Sequence, residues 1–591
     1  MFLVSYHTGN SINGWAFVNK YLHQRWATNA NLTGQGILPV PPCHQKSTFL
    51  MIQTNPIPTK QSSQILFVSL CWTVALILPL ECPAIQQTES NPRPNIILFL
   101  VDDLGWQDTS VVFCNSENEK TGFQIHFQTP HVQRLADRGV RFAQAYAHSV
   151  CSPTRTSILS GQHPTRHRVT NWTLYPDKDQ SGKTERLGPP SVWNVQGQQP
   201  NDQLLPQQLK RAGYRTIHCG KAHWGAIGTP GSDPVNLGFD VNIAGHSAGA
   251  PGSYAGEQNF GNHEDGTHKL PWGVPGLEKY HGTKTHLTDA LATEACLAID
   301  QAVSDQQPFF LYMAPYAVHT PIQAHPRFID NYLGKNYSGT QIGIPEVEAR
   351  YASMVEGYDA ALGQILNVLT NRNVADKTII LFTSDNGGLS AHTRSTTWQG
   401  TGKDTHCWPL KAGKGSAYEG GTRVPMIVSW ATTDSGSSLQ KTLPFSAGSL
   451  SQAKVVCEDI YPTICRWAGI QQNAGSSNEL DGIDITKFAT DPTATNDRDL
   501  LFHYPHVWGP SGEGYQPHSS LRHNDWKIIY FYDSKRWELY NLSTDLSENN
   551  DLAVSHPNRL GSMKQLLIQH LTQMQAQYPT DLESGKEEGP N

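Results

Sequence analysis

Five short unbroken apolar runs, at 95–101 (NIILFLV), 214–219, 309–312 (FFLY), 378–382 (TIILF) and 426–430 (MIVSW), constrain the fold more than any other feature of this chain. None alternates apolar with polar residues, so each reads as a strand covered on both faces. Helix-like stretches fall between them at 129–138, 201–211, 285–303 and 346–368, the first opened by Thr-Pro and the second closed by Gly213. Strand and helix in alternation predict an α/β domain built on a large mixed, mainly parallel sheet flanked by helices on both faces. Gly-, Ser- and Thr-rich segments near 173–200, 245–285, 390–405 and 432–452 read as long loops over that sheet. Near 490 the texture changes to strand-like runs at 526–532 and 537–540 and a last helix at 560–578. The expected division is a catalytic domain over 85–490 and a smaller C-terminal α+β subdomain over 491–591, which 591 residues can fill with two cores.

The chain carries 44 Lys and Arg against 51 Asp and Glu, a net charge of -7, and no basic tract. That balance excludes nucleic acid as an electrostatic partner. One further apolar run, 65–80 (ILFVSLCWTVALILPL), is short for a membrane span and suits the core of a signal peptide. Because 64 residues precede it, Met51 reads as the true start, 1–50 as a non-native or misannotated extension, and 51–84 as a signal peptide cut after Ala84. The expected location is therefore exported, periplasmic or extracellular, or lysosomal in a eukaryote, with membrane contact only if the leader stays uncleaved. Of the 10 cysteines, Cys114, Cys219, Cys296, Cys407, Cys457 and Cys465 permit up to three disulfides, with the pairing open.

In open α/β sheets ligands bind beyond the carboxyl ends of the strands. The first run ends in Asp102-Asp103-Leu104-Gly105 and the run at 378 in Asp385-Asn386-Gly387-Gly388. Together these offer hard oxygen ligands that suit Ca²⁺ better than Mg²⁺; read singly, the first pair is also a helix cap and the second a turn. The run at 214 leads into Gly220-Lys221-Ala222-His223 and the run at 309 into His319, bringing cations and imidazoles to the same rim. At 150–161 (VCSPTRTSILSG), Ser152 reads as an N-cap, Pro153 as the first helical residue and Gly161 as the stop. Cys151 then sits at a helix N-terminus, where the exposed N–H groups favour an anion and Arg155 adds a clamp. A structural cysteine beside a helix start is the plain alternative.

Cys151-x-Pro153-x-Arg155 followed by Leu159-x-Gly161 resembles the signature of the type I sulfatases, in which the cysteine is oxidised to Cα-formylglycine. The resemblance runs from about Pro92 to the tail, through Asp-Asp-Leu-Gly-x-x-Asp at 102–108, Gly-Lys-x-His at 220–223, Asp-Asn-Gly at 385–387 and Gly-Lys-Gly-x-x-Tyr-Glu-Gly-Gly-x-Arg-Val-Pro at 413–425. Thr154 and Ser160 are conservative departures. It implies an alkaline-phosphatase-like fold and an arylsulfatase-like sulfuric ester hydrolase acting on a sulfated carbohydrate or an aryl sulfate. By the same resemblance the hydrated aldehyde at 151 attacks sulfur with one hydroxyl, forms a covalent sulfo-enzyme, and expels sulfate with the other. Asp102, Asp103, Asp385 and Asn386 would hold one Ca²⁺, Arg155 would hold the diol, and Lys221 and Lys414 would bind sulfate oxygens. His319 matches the proton donor to the leaving alcohol and His223 the base that assists sulfate release. Maturation implies a formylglycine-generating enzyme as partner. His503, His506 and Arg522 are candidates for a carbohydrate-facing wall in the tail. Two other readings stay open: a phosphonate or phosphodiester hydrolase of the same superfamily, and an inactive sulfated-glycan-binding protein with Cys151 unconverted.

Overall fold

The computed structural model describes residues 93–114, 126–261, 271–391, 394, 406–471, 479–509, 512 and 514–590. The readings of 1–50 and 51–84, and most of the loop at 390–405, lie outside these residues. In chain order the strands are β1 (Asn95–Val101), β2 (Gly139–Tyr146), β3 (Leu187–Gly188), β4 (Arg215–Gly220), β5 (Val241–Ile243), β6 (Phe309–Ala314), β7 (Thr378–Ser384), β8 (Met426–Trp430), β9 (Ser449–Val456), β10 (Leu500–Tyr504), β11 (His518–His523), β12 (Trp526–Phe531), β13 (Arg536–Asn541) and β14 (Thr580–Asp581).

All five apolar runs enter one eight-stranded sheet of order β5-β4-β6-β1-β7-β8-β2-β9. Its pairings are parallel except at β8, which runs antiparallel to both β7 and β2. The two faces of β1 divide the core. Ile97, Phe99 and Val101 pack under the helices Pro130–Arg138, Leu287–Ser304 and Glu346–Asn371, whereas Ile96, Leu98 and Leu100 pack under Cys151–Ser160, Leu205–Arg211 and Ile460–Trp467. Strands buried on both sides therefore need apolar residues at every position, as the runs show. Strands β2 and β9 escape that rule. They lie at one end of the sheet, and the outer β9 is only partly buried over its first half, so its sequence SLSQAKVV carries no continuous apolar signal. Gly139 opens β2 because a Cβ there would lie 2.2 Å from the Val428 carbonyl oxygen.

Beyond this sheet, β10-β11-β12-β13 form an antiparallel meander. One face packs Leu521, Ile528 and Leu539 against the helix Pro557–Gln573, and the other packs Ile529, Phe531 and Tyr540 against Ala417 and Tyr418 of the large domain. Among the described residues no helix is long and apolar enough to cross a membrane. Cys219, Cys296 and Cys457 are free thiols, so the six-cysteine set does not form three bridges.

Candidate active site

The strand ends converge as the topology requires. Asp102 and Asp103 follow β1, Asp385 and Asn386 follow its neighbour β7, and Lys221 and His223 follow β4. His319 follows β6, held there by hydrogen bonds from the Tyr254 hydroxyl to the Tyr316 and His319 carbonyls. Lys414 arrives on the loop before the reversed strand β8, where its backbone N–H donates to the Gly388 carbonyl.

Three carboxylates face three fixed cations in this cluster. Lys221 Nζ lies 2.8 Å from both oxygens of Asp102, Lys414 Nζ lies 2.7 Å from Asp103 Oδ1, and Arg155 Nε donates to Asp385 Oδ2 at 2.8 Å. All six side chains are buried. Burial pushes the Asp102 carboxyl above its usual range despite Lys221. Burial acts the same way on Asp103, but Lys414 and His319 outweigh it and hold that carboxyl below its usual range. Asp385 is likewise held low, chiefly by Arg155 against the effect of burial. Formal charges balance within the cluster, as the burial of so many ions requires.

The donor set fits a cation. Asn386 Nδ2 donates to Asp103 Oδ1 at 2.8 Å, while its buried Oδ1 has no hydrogen-bond partner. That oxygen and the carboxylates are hard ligands of the kind Ca²⁺ takes. Asp102, Asp103 and His319 bring ligand atoms within 4.8 Å of one another. Asp103 and His223 also hold left-handed backbone, φ 61° and 57°, a strain that clusters at functional sites.

Cys151 lies at the start of the helix Cys151–Ser160, on the underside of this cluster. The structure moves the helix start: Val150, extended at φ -142° and ψ 162°, occupies the N-cap position without a side-chain cap, and Cys151 is already helical. Ser152 does not cap; its hydroxyl donates to the His223 carbonyl at 3.0 Å. Gly161 does stop the helix in the left-handed conformation. Cys151 Sγ is 3.3 Å from His223 Nδ1, and His223 Nε2 is 3.0 Å from the Thr173 carbonyl. A carbonyl only accepts, so Nε2 carries the proton and Nδ1 presents its lone pair to residue 151. Burial keeps the His223 imidazole well below its usual range and the Cys151 thiol above its own. His319 Nε2 lies 3.5 Å from Asp103 Oδ2, and burial beside Lys414 pushes this imidazole down to about 3.

The tail candidates require correction. His503 is buried between the Ser519 hydroxyl and the Gln577 carbonyl, each at 2.7 Å. His506 bridges the Thr170 and Ser181 hydroxyls, each at 2.8 Å. Arg522 reaches back to the Tyr146 hydroxyl, the Gln144 amide oxygen and the Asn524 carbonyl. All three make internal polar contacts: His503 within the C-terminal subdomain, His506 to loop hydroxyls of the large domain, and Arg522 to β2 of the large sheet. A knot of charge lies beside Arg522. Lys527 of β12 sits 3.0 Å from Glu419 and 2.9 Å from Glu548, Tyr146 and Arg423 also reach Glu419, and the Glu419 N–H donates to Glu548. It ties the loop carrying Lys414 to the C-terminal sheet. Sequence reasoning could not find the Thr173 carbonyl, because a main-chain acceptor leaves no mark on a sequence.

Comparisons with known proteins place the chain in a family. A family model described as Sulfatase matches residues 94–470, and one described as N-sulphoglucosamine sulphohydrolase, C-terminal, matches 412–577. A protein named sulfatase from Formosa agariphila is 29% identical over 532 residues, 82% of this chain and 89% of that one. The N-acetylgalactosamine-6-sulfatase of Mus musculus is 28% identical over 419 residues, 69% of each chain. The crystal structure of Ps i-CgsB in complex with k-i-k-neocarrahexaose superposes with a TM-score of 0.58 at 27% identity, over 81% of this chain and 92% of that one. With the family model covering most of the chain, the chain belongs to the sulfatase family, the formylglycine-type sulfuric ester hydrolases of the alkaline phosphatase superfamily.

Proposed function

We propose that this enzyme is an exported sulfatase that removes a sulfate ester from a sulfated carbohydrate, using formylglycine at position 151 and one Ca²⁺. The observation that carries this reading is the meeting of Cys151, His223, two lysines and an oxygen-ligand set at one sheet edge. A sugar substrate is supported by the names of the relatives, one an N-acetylgalactosamine-6-sulfatase and one holding a neocarrahexaose. The apolar run at 65–80 supports export. As a thiol, Cys151 is held protonated by burial, which suits a residue that is converted rather than one that attacks as thiolate.

Formylglycine, when formed and hydrated, supplies one hydroxyl to accept the sulfuryl group and a second to release it. Asp102, Asp103, Asp385 and Asn386 would hold the cation, whose positive charge would polarise a sulfate oxygen. Lys221 and Lys414, already fixed on Asp102 and Asp103, are poised to hold sulfate oxygens without reorganisation. Arg155 locks Asp385 and the Lys221 carbonyl in place. His223, proton on Nε2, takes a proton from residue 151 through Nδ1. His319 is neutral while the lysines dominate its surroundings. The negative charge of an incoming sulfate ester offsets them and raises the affinity of His319 for the proton it gives to the leaving alcohol.

The test is to express the protein with a formylglycine-generating enzyme and weigh the tryptic peptide from Phe142 to Arg155. The expected peptide has lost sulfur and two hydrogens and gained oxygen, and the same protein releases sulfate from sulfated sugars in the presence of Ca²⁺. An unconverted cysteine in cells that mature another sulfatase, or hydrolysis of phosphodiesters in preference to sulfate esters, overturns the reading.

A further inference from the structure

Two tryptophans stand beside the cluster that the mechanism does not use. Lys414 Nζ, the ammonium on Asp103, lies 5.6 Å from the centre of the Trp508 ring. The Trp508 ring meets the Trp172 ring at 6.5 Å and 63°, so the two make a corner rather than a stack. Trp172 immediately precedes Thr173, whose carbonyl fixes His223. One ring is thus a single contact from a sulfate-binding lysine, and the other a single residue from the acceptor that orients the base. Both are only partly buried, while Asn171, Thr173 and His506 beside them are buried.

The segments that carry them come from different domains and are tied together rigidly. His506, two residues before Trp508, bridges Thr170 and Ser181. The Tyr504 hydroxyl donates to Asn171 Oδ1 at 3.0 Å, and Asn171 Nδ2 donates to Ser181 Oγ at 3.0 Å. Val507 and Gly182 form a β-bridge, with the Gly182 N–H donating to the Val507 carbonyl at 2.7 Å. Buried polar lattices of this kind fix geometry more than they add stability. What this one fixes is the angle between two indoles. The Trp172 Nε1–H is also a buried donor without an acceptor among the described residues, an arrangement that costs free energy unless a bound group answers it.

We propose that Trp172 and Trp508 form an aromatic subsite that receives the pyranose ring carrying the scissile sulfate, with the apolar C–H face of the sugar against the indoles. This rests on the sulfatase reading above. The chemistry is specific: a pyranose offers one face of C–H bonds and an edge of hydroxyls, which matches an indole face beside a hydrogen-bond donor. His503 and His506, which sequence reasoning placed against the sugar, act here as positioning residues for the segment that carries Trp508.

The test uses the matured, calcium-loaded protein and its Trp508→Ala, Trp508→Phe and Trp172→Ala variants. Three quantities are read: kcat/KM on a sulfated oligosaccharide that the wild type hydrolyses, the inhibition constant of inorganic sulfate, and quenching of tryptophan fluorescence by the same oligosaccharide after desulfation. Stacking of a ring on an aromatic side chain is strong enough that either alanine variant should lose about 10-fold to 100-fold in kcat/KM. Trp508→Phe should recover most of that loss. Sulfate inhibition should move by less than about threefold in all variants, and the desulfated sugar should quench the wild type but not Trp508→Ala. Alanine variants that keep the wild-type kcat/KM, or that weaken sulfate as much as sugar, overturn the subsite. Should the wild type hydrolyse no sulfated sugar, the sulfatase reading fails. Fluorescence titration with the sulfated oligosaccharide then decides the subsite by itself, quenching in the wild type upholding it and no quenching overturning it.

Discussion

Methionine in place of Lys221 keeps most of the side chain's length and removes its charge. In the structure the ammonium sits 2.8 Å from both oxygens of Asp102, with both side chains fully buried. The remaining cation near that carboxylate is Arg155 Nη2 at 3.8 Å from Asp102 Oδ1. Breaking a buried pair by removing one partner costs about 3–5 kcal/mol. Unfolding entropy for a chain of roughly 500 residues is about 1 kcal/mol/K, so Tm should fall by about 3–5 °C. Burial already holds Asp102 above its ordinary range, and the variant pushes it higher. A carboxyl whose folded pKa exceeds its unfolded value binds more protons in the folded state, so its cost grows as pH rises above the unfolded pKa of about 3.9. That cost is common to both proteins up to the wild type's own folded value, so the Tm gap should widen as pH rises past that value toward the higher one of the variant, and it is read from about pH 5.5 to about pH 8. Calcium should narrow it, because a cation at Asp102 replaces the missing charge. Scanning fluorimetry across that range, with chelator or with Ca²⁺, reads the gap, and sulfate release under the same conditions should fall about 100-fold or more. A gap below about 1 °C, or one blind to both pH and calcium, would refute a buried charged pair serving a metal site.

His319→Gln should lower kcat by about 100-fold or more on sulfated sugars, whose alcohols are poor leaving groups, and much less on an activated aryl sulfate; equal losses on both would remove its role as proton donor. Cys151→Ser should abolish turnover while shifting Tm by less than about 1 °C, since the side chains are nearly isosteric; retained multiple turnover would exclude the formylglycine route. Chelator should lower the Tm of the wild type by about 3 °C or more relative to saturating Ca²⁺, as expected when a ligand at 100 times its Kd binds only the folded state, and titration calorimetry with Ca²⁺ alone checks the site. Burial pushes His163, His286, His506 and His518 down to about 3 and His503 to about 4. Their folded values lie below the unfolded one near 6.5, so the stability they contribute is present above pH 6.5 and is lost as pH falls toward 4. A Tm that stays flat from pH 7 to pH 4.5 contradicts this.

The sheet was legible because its central strands are buried on both faces and so must be apolar throughout. The same reasoning is blind to β2 and β9, whose outer position lets polar residues in. Asp102, Asp103, Asp385, Asn386 and Lys221 follow their strands directly, and a parallel sheet sends such ends to one rim, whereas Lys414 rides a long loop and stood out only through its motif. The histidines of the tail misled for a physical reason. His506 belongs to a hydrogen-bonded lattice between domains and His503 to one within the C-terminal subdomain, and an interior histidine has the same letter as a ligand. Nothing in its spacing along the chain distinguishes Trp508 from Tyr504, which is buried. Its partial exposure and its contact with Lys414 separate the two.

The charge knot of Glu419, Lys527 and Glu548 has a consequence for how such enzymes diversify. A genetic crossover that exchanged the C-terminal sheet between two related enzymes would bring a new residue opposite Glu419. Unless it carried a matching lysine and its acidic neighbour, the exchange would strand an ion in a dry interior and lose the loop bearing Lys414. The three positions must therefore be inherited as a set. New substrate preferences are more readily acquired by altering side chains around the mouth, such as those at 172 and 508, than by shuffling whole domains.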